Sequence, residues 1–272
     1  MSKSLGNVIT PDYVIEKFGS DVTRWWFYRV NQAGEAKSFR EEELKEIQSG
    51  FVRVIVNSLR FWQLYSKNEK LDIKNQNDKE KIKNFHQIKS EELSLLDQWL
   101  LSKWNSLVGS VTESLDEYDV TTSSREIERF MIEDLSNWWI RRSRGKFQSG
   151  GGYQTGLLRF VLLELAKLIA PFTPFMAEYL HEELHQGISP GTASVHFHDW
   201  PEANKKLIDK KLEEEMDKVR EVVSLGLAAR KEKNIRVRQP LSVLSIKYKV
   251  LSIEEELVSL IKDEVNVKEI KF

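Results

Sequence analysis

Apolar residues recur at three-and-four spacing along most of this chain, the pattern of helices that each bury one stripe. From Phe39-Arg40-Glu41 to about Tyr65 the stripe is Leu44, Ile47, Phe51, Val54, Ile55, Ser58, Leu59 and Trp62; from Glu91 to Tyr118 it is Leu93, Leu96, Leu100, Trp104, Leu107, Val111 and Leu115. Pro11 suits the first turn of a short helix with Val14, Ile15 and Phe18 on one face and Gly19 as its stop, and a second helix is predicted at about Asp21 to Val30. Asn31-Gln32-Ala33-Gly34 reads as a turn, and Asp119-Val120-Thr121 supplies capping residues for a helix at about 122–147. Gly150-Gly151-Gly152 breaks the chain; Leu157 to Ala170 is apolar on all sides, as expected of a buried central helix, and Pro171 and Pro174 separate it from a helix at Phe175 to His185.

The pattern changes after Trp200-Pro201. Asn204 to Lys233 reads as a long amphipathic helix, Val237 to Tyr248 as extended, Ile253 to Lys262 as helical and Val265 to Phe272 as extended again. Residues 67–92, rich in Lys, Asn, Glu and Gln, read as a solvated connection without function. The expected fold is mainly α: a loop with connecting helices at 1–30, a helical bundle at 31–200, and at 201–272 a long helix with a small α+β piece.

With 272 residues, 40% of them hydrophobic, the chain can bury one large core or two modest ones, and a disordered chain is excluded. The net charge of −1 gives no global attraction to nucleic acid, so any such site has to be a local patch. The absence of cysteine excludes disulfides and thiolate metal sites and suits a reducing compartment. No stretch approaches the roughly 18 apolar residues of a membrane span, and the N-terminus lacks a signal-peptide pattern. A cytoplasmic protein is expected.

Four local features carry candidate chemistry. At the N-terminus Lys3 lies between Ser2 and Ser4 and ahead of Gly6, a point charge with hydroxyls and a tight turn that suits the handling of phosphates. From Leu135 to Leu163 there is no acidic residue, while Arg141, Arg142, Arg144, Lys146 and Arg159 give a local +5. Arginines there can neutralise phosphates, and Trp139 beside them can stack on a base. The alternative places Trp138, Trp139 and Phe147 in the core, in register with Ile127, Met131 and Leu135. A third patch, Arg230 to Leu241, holds Arg230, Lys231, Lys233, Arg236 and Arg238 against the single acid Glu232, and reads either as an RNA-facing edge or as a solvated turn. Finally, His181-Glu182-Glu183-Leu184-His185 matches H-E-x-x-H, which on a helix would set two imidazoles on zinc with Glu182 as general base. No third ligand stands at a persuasive spacing, His196 and His198 included, so two exposed helix residues are the expected reading.

Met1-Ser2-Lys3-Ser4-Leu5-Gly6-Asn7 resembles the lysine-methionine-serine-lysine-serine loop of class I aminoacyl-tRNA synthetases, without its first lysine. Pro11-Asp12-Tyr13-Val14-Ile15 and Phe18-Gly19-Ser20-Asp21-Val22-Thr23-Arg24-Trp25-Trp26 resemble the segment that joins this loop to the anticodon-binding bundle. Leu135-Ser136-Asn137-Trp138-Trp139-Ile140-Arg141-Arg142-Ser143-Arg144 resembles a motif of that bundle in isoleucyl-tRNA synthetases. Tyr118-Asp119-Val120-Thr121 and Ile169-Ala170-Pro171-Phe172-Thr173-Pro174-Phe175 resemble structural stretches of it, and Arg236-Val237-Arg238-Gln239-Pro240-Leu241 resembles its C-terminal junction.

The resemblance implies an anticodon-binding fragment whose partner is isoleucine tRNA, through Arg141, Arg142, Arg144, Lys146, Trp139, Arg230, Lys233, Arg236 and Arg238. It implies that Lys3, supported by Ser2 and Ser4, contacts ATP in the parent enzyme, which uses ATP and Mg2+ to join isoleucine to its tRNA. It further implies that the catalytic sheet and the editing domain fall outside this chain, so that the fragment is expected to bind tRNA as a monomer, to hold no cofactor or metal, and not to aminoacylate alone. Fragments of the valyl or leucyl enzymes, a stand-alone RNA-binding module and, last, a zinc hydrolase are the alternatives.

Overall fold

The computed structural model describes residues 9–32, 34–66, 93–149, 152–185, 193–246 and 254–271; Ser2, Lys3, Ser4 and the expected connection at 67–92 lie outside these. The chain divides into two units, residues 1–89 with 104–205 and residues 90–103 with 206–272. Of the two crossings that fall among the described residues, one lies near the change of pattern at Trp200. The other cuts a helix whose apolar periodicity runs on unbroken, so no feature of the sequence marks it.

In the first unit the Thr10 hydroxyl caps α1 (Pro11–Phe18), accepting from the Tyr13 amide. Gly19, at φ 86°, turns the chain directly into α2 (Ser20–Arg29), a conformation open to a residue without Cβ. The expected long helix is continuous but not uniform: α3 (Glu41–Ile47) passes through a π-helical turn at Gln48–Val52 into α4 (Arg53–Ser66). Phe51 of that turn stacks on Trp25 of α2, ring centroids 4.1 Å apart.

The hairpin between α5 (Leu95–Asp116) and α6 (Val120–Arg129) turns on Tyr118, at φ 62°. A non-glycine residue there costs about 1–2 kcal/mol. Asp119 offsets it by capping α6, its carboxylate accepting from the Thr122 amide at 3.0 Å and the Thr122 hydroxyl at 2.6 Å. After α6 the helix is π-wound over Phe130–Ile140 before α7 (Arg141–Gln148). Buried positions there recur in steps of four: Phe130, Asp134 and Trp138 form one row and Met131, Leu135 and Trp139 another. α8 (Gly152–Ile169) is the central member, with Leu157, Leu158, Val161, Leu162 and Leu165 fully buried. It begins at Gly152, inside the expected glycine break.

The break before α9 (Pro174–His185) is held by α2. Pro171 and Pro174 lack amide hydrogens, so the chain cannot continue the helical ladder through them. The Arg24 guanidinium donates to the carbonyls of Pro171 at 2.8 Å and Phe172 at 2.9 Å, while the Asp21 carboxylate accepts from the Met176 amide at 2.6 Å. Burial raises the Asp21 pKa, against the lowering effect of the Met176 and Phe175 amides.

In the second unit α10 (Lys210–Glu232) starts later than the pattern suggested because Asp209 caps it, accepting from the Leu212 amide at 3.0 Å. Strands β1 (Leu241–Ser245) and β2 (Val267–Lys271) pair in parallel, Leu241 opposite Val267, and are joined through α11 (Glu255–Val265). Among the described residues no helix is long and apolar enough to cross a membrane.

A Cβ on Gly226 would meet the two Val265 methyls at 2.9 and 3.0 Å. Alanine would add about 1 kcal/mol of helix propensity, but overpacking against a stiff β-branched residue costs about 1–3 kcal/mol. Gly226→Ala is therefore expected to lower the unfolding free energy in a urea titration, with Val265→Ala in the same chain removing the conflict; a stabilised single variant would contradict this packing. Asp119→Ala is expected to cost about 1 kcal/mol at neutral pH. The Thr122 hydroxyl and amide bonds lower the Asp119 pKa, so its contribution is present above the ordinary carboxylate range and lost as pH falls through the lowered value. The two proteins should thus converge in stability in strong acid; a gap that stays constant with pH would exclude a charged cap.

Candidate nucleic-acid interface

Of the five cations between Leu135 and Leu163, Arg141, Arg144 and Lys146 on α7 are exposed. Arg142 is half-buried, its guanidinium 3.1 Å from the Trp138 ring centroid. Arg159 is buried and donates twice to the Leu184 carbonyl at the end of α9, at 3.1 and 2.9 Å. Desolvation lowers its pKa to about 10, still well above neutrality. Trp139 is fully enclosed, edge-on to Phe147 at 5.9 Å. A ring without accessible faces cannot stack on a base, so the expectation of Trp139 as an RNA contact is corrected to a core role.

The basic patch of the second unit loses one member in the same way. Arg230 is buried, and its guanidinium donates to four carbonyls: Val265 at 2.7 Å, Asn266 at 2.8 Å, Gln239 at 3.0 Å and Arg236 at 3.1 Å. It gathers the turn before β1 and the end of α11, which is why residues 237–239 form a turn rather than the expected strand. The expectation of Arg230 on RNA is corrected accordingly. Lys233, Arg236 and Arg238 are exposed, with Lys233 paired to Glu232 at 3.3 Å.

α4, marked in sequence only by its apolar stripe, also meets α7. α4 carries Arg53 and Arg60, both exposed, and no acidic residue from Arg53 to Ser66. Its Phe61 and Tyr65 rings lie 4.9 and 5.6 Å from Phe147, and the Arg144 guanidinium stands 5.9 Å over Phe61. The absence of acid was readable, but the apolar stripe of the same helix accounts for its residues without reference to a ligand. A cleft of about 450 Å³ in the same unit has the opposite character: Glu43, Glu46, Glu128 and Glu133 line it with Arg29, Arg125 and Arg129. Arg29 is paired to Glu128 at 2.7 Å, so the cleft offers a phosphate as much repulsion as attraction.

The H-E-x-x-H residues are not the exposed pair expected. His181 is buried, its Nε2 3.1 Å from His198 Nε2, and His185 Nδ1 lies 2.8 Å from the His181 carbonyl. Burial and the neighbouring His185 and His198 lower the His181 pKa to about 4. Glu178 of the same helix accepts from the Ser194 hydroxyl at 2.8 Å and the Val195 amide at 3.0 Å, so the histidine contact belongs to the seating of 193–198 on α9. Among the described residues no group of three or more His, Cys, Asp or Glu side chains could hold a metal ion.

Comparison with known proteins places these patches in a family. Residues 97–245 match the family described as the anticodon-binding domain of tRNA ligase. The chain is 36% identical over 283 residues to the isoleucine–tRNA ligase of Clostridium novyi (strain NT), which covers all of this chain and 25% of that protein. It is 37% identical over 277 residues to isoleucine–tRNA ligase 2 of Bacillus cereus (98% and 25%) and 38% identical over 282 residues to the isoleucine–tRNA ligase of Dehalococcoides mccartyi (98% and 26%). The chain thus spans about a quarter of the length of the curated relatives it matches. In fold it is similar to the LeuRS of the ternary complex of Agrobacterium radiobacter K84 agnB2 LeuRS-tRNA-LeuAMS, with TM-score 0.57 and 18% identity over 77% of this chain and 23% of that one. The match covers more than half of the chain, including α7 and β1, and the chain belongs to the anticodon-binding domain family of tRNA ligases.

Proposed function

We propose that this chain docks isoleucine tRNA as the anticodon-binding part of an isoleucine–tRNA ligase. The observation that carries the reading is the face of α7, where Arg141, Arg144 and Lys146 are exposed on a helix with no acidic residue. Such side chains release condensed counterions when they meet phosphates, which supplies affinity without reading sequence. Lys233, Arg236 and Arg238 in the other unit are assigned the same role, and Arg142 that of stiffening the α7 face through Trp138. The relatives over the whole chain are isoleucine–tRNA ligases, and this supports isoleucine tRNA as the partner.

The chemistry belongs to the whole ligase: activation of isoleucine with ATP and Mg2+, then transfer to tRNA. We assign Lys3 to the ATP phosphates in that enzyme, with Ser2 and Ser4 beside it. The stretch itself is assigned RNA docking without aminoacylation, as a monomer in the cytoplasm.

Binding to isoleucine tRNA and to valine tRNA at two salt concentrations tests the reading, with Arg141→Ala/Arg144→Ala in parallel. Removal of two phosphate contacts is expected to lower the slope of log affinity against log salt by roughly 1.4–1.8. Preference for isoleucine tRNA supports the assignment. An unchanged slope, or equal binding of both tRNAs, would contradict the docking face or the specificity respectively.

A further inference from the structure

We infer that Phe61 and Tyr65 of α4, flanked by Arg60 and Arg144, form a platform on which one unpaired base of the docked tRNA stacks; this rests on the RNA-docking reading above. Phe61 and Tyr65 are one helical turn apart, their ring centroids separated by 4.8 Å. Both are half-buried, packed from below by Phe147, which is itself buried against Trp139. The rings are thus held against Phe147 and tilted 54° to each other, and each keeps part of its surface exposed. Leu64, 59% exposed, adds apolar surface on the same helix.

The rim of this surface is cationic. Arg60 is exposed on α4, and the Arg144 guanidinium lies 5.9 Å over the Phe61 ring. Within α4 and α7 together there are six basic residues (Arg53, Arg60, Arg141, Arg142, Arg144, Lys146) and no acid. Exposed apolar residues are ordinary when scattered singly, but here two preset rings and an arginine adjoin on two helices that carry no acid of their own, with the carboxylate of Glu183 accepting from Gln63 of α4. That combination suits an unpaired nucleotide: the base takes the ring face and the phosphates on either side take Arg60 and Arg144. A duplex offers the same charge but keeps its bases stacked within itself, so it cannot use the rings.

The two contributions separate by their salt dependence. Tyr65→Leu keeps an apolar side chain against Phe147 but removes the ring, and is expected to weaken isoleucine tRNA binding about tenfold at low and at high salt alike, with the salt slope unchanged. Tyr65→Trp is expected to restore binding. A short unpaired RNA carrying 2-aminopurine should be quenched by the unaltered protein and not by Tyr65→Leu, while a duplex RNA of equal charge should bind both proteins equally. Thermal midpoints of the variants establish that both are folded, and Tyr65→Phe, the smallest change that keeps a ring, replaces Tyr65→Trp if the larger ring does not fold. Retention of full affinity and of the quench by Tyr65→Leu, with Arg144→Ala still weakening binding, would overturn the platform and leave RNA docking intact. Failure of the unaltered protein to bind isoleucine tRNA would overturn both.

Discussion

A single turn of α2 joins the N-terminal helices to the bundle. Asp21 and Arg24, three residues apart and therefore on one face, cap the two ends of the helix break that Pro171 and Pro174 create. A helix end leaves carbonyls and amides without partners, and a buried group left so costs about 1–3 kcal/mol. Proline removes the usual remedy of an extra turn, and side chains from a distant part of the sequence supply the missing partners. Two segments about 150 residues apart are held in register by this exchange, and the Phe172 ring adds edge contacts to Trp25 at 5.6 Å and Tyr28 at 5.5 Å. On the scaffold so fixed, α8 is buried and the end of α4 meets α7 through Phe61, Tyr65 and Phe147.

The main-α architecture was legible because burial leaves periodic marks. α8, apolar on all sides, could only be central, whereas the register with Met131 and Leu135 offered a core reading of Trp138 and Trp139 without excluding the RNA contact expected of Trp139, which burial then ruled out. The local winding was not legible: a π-helical stretch at Phe130–Ile140 satisfies the same apolar spacing of four that an α-helix does. The fate of individual cations was also hidden. Arg230 and Arg236 look alike in sequence, yet one is the hub of four carbonyls and the other is exposed, and the difference is set by Val265 and Asn266 some 35 positions away. The histidine motif misleads for a related reason. Spacing shows that His181 and His185 share a helix face but not that His198 returns to meet them.

The distribution of charge in the first unit explains how a protein of net charge −1 can present an RNA face. Carboxylates at the mixed cleft beside α2, α3 and α6 bond indoles and guanidinium groups: Glu128 with Trp25 and Arg29, Glu43 with Trp26. α4 and α7 carry none. Local segregation, rather than the total, sets the potential that a phosphate meets.

Hydroxyl-radical footprinting of side chains, on the chain alone and with isoleucine tRNA, would place the RNA directly. The account calls for protection of Phe61, Leu64 and Tyr65 on α4, while Tyr118 and Phe197, 87% and 83% exposed in the same unit, keep their reactivity. Protection of Tyr118 or Phe197 with α4 unchanged would put the RNA on another face and contradict the assignment of α4 and α7.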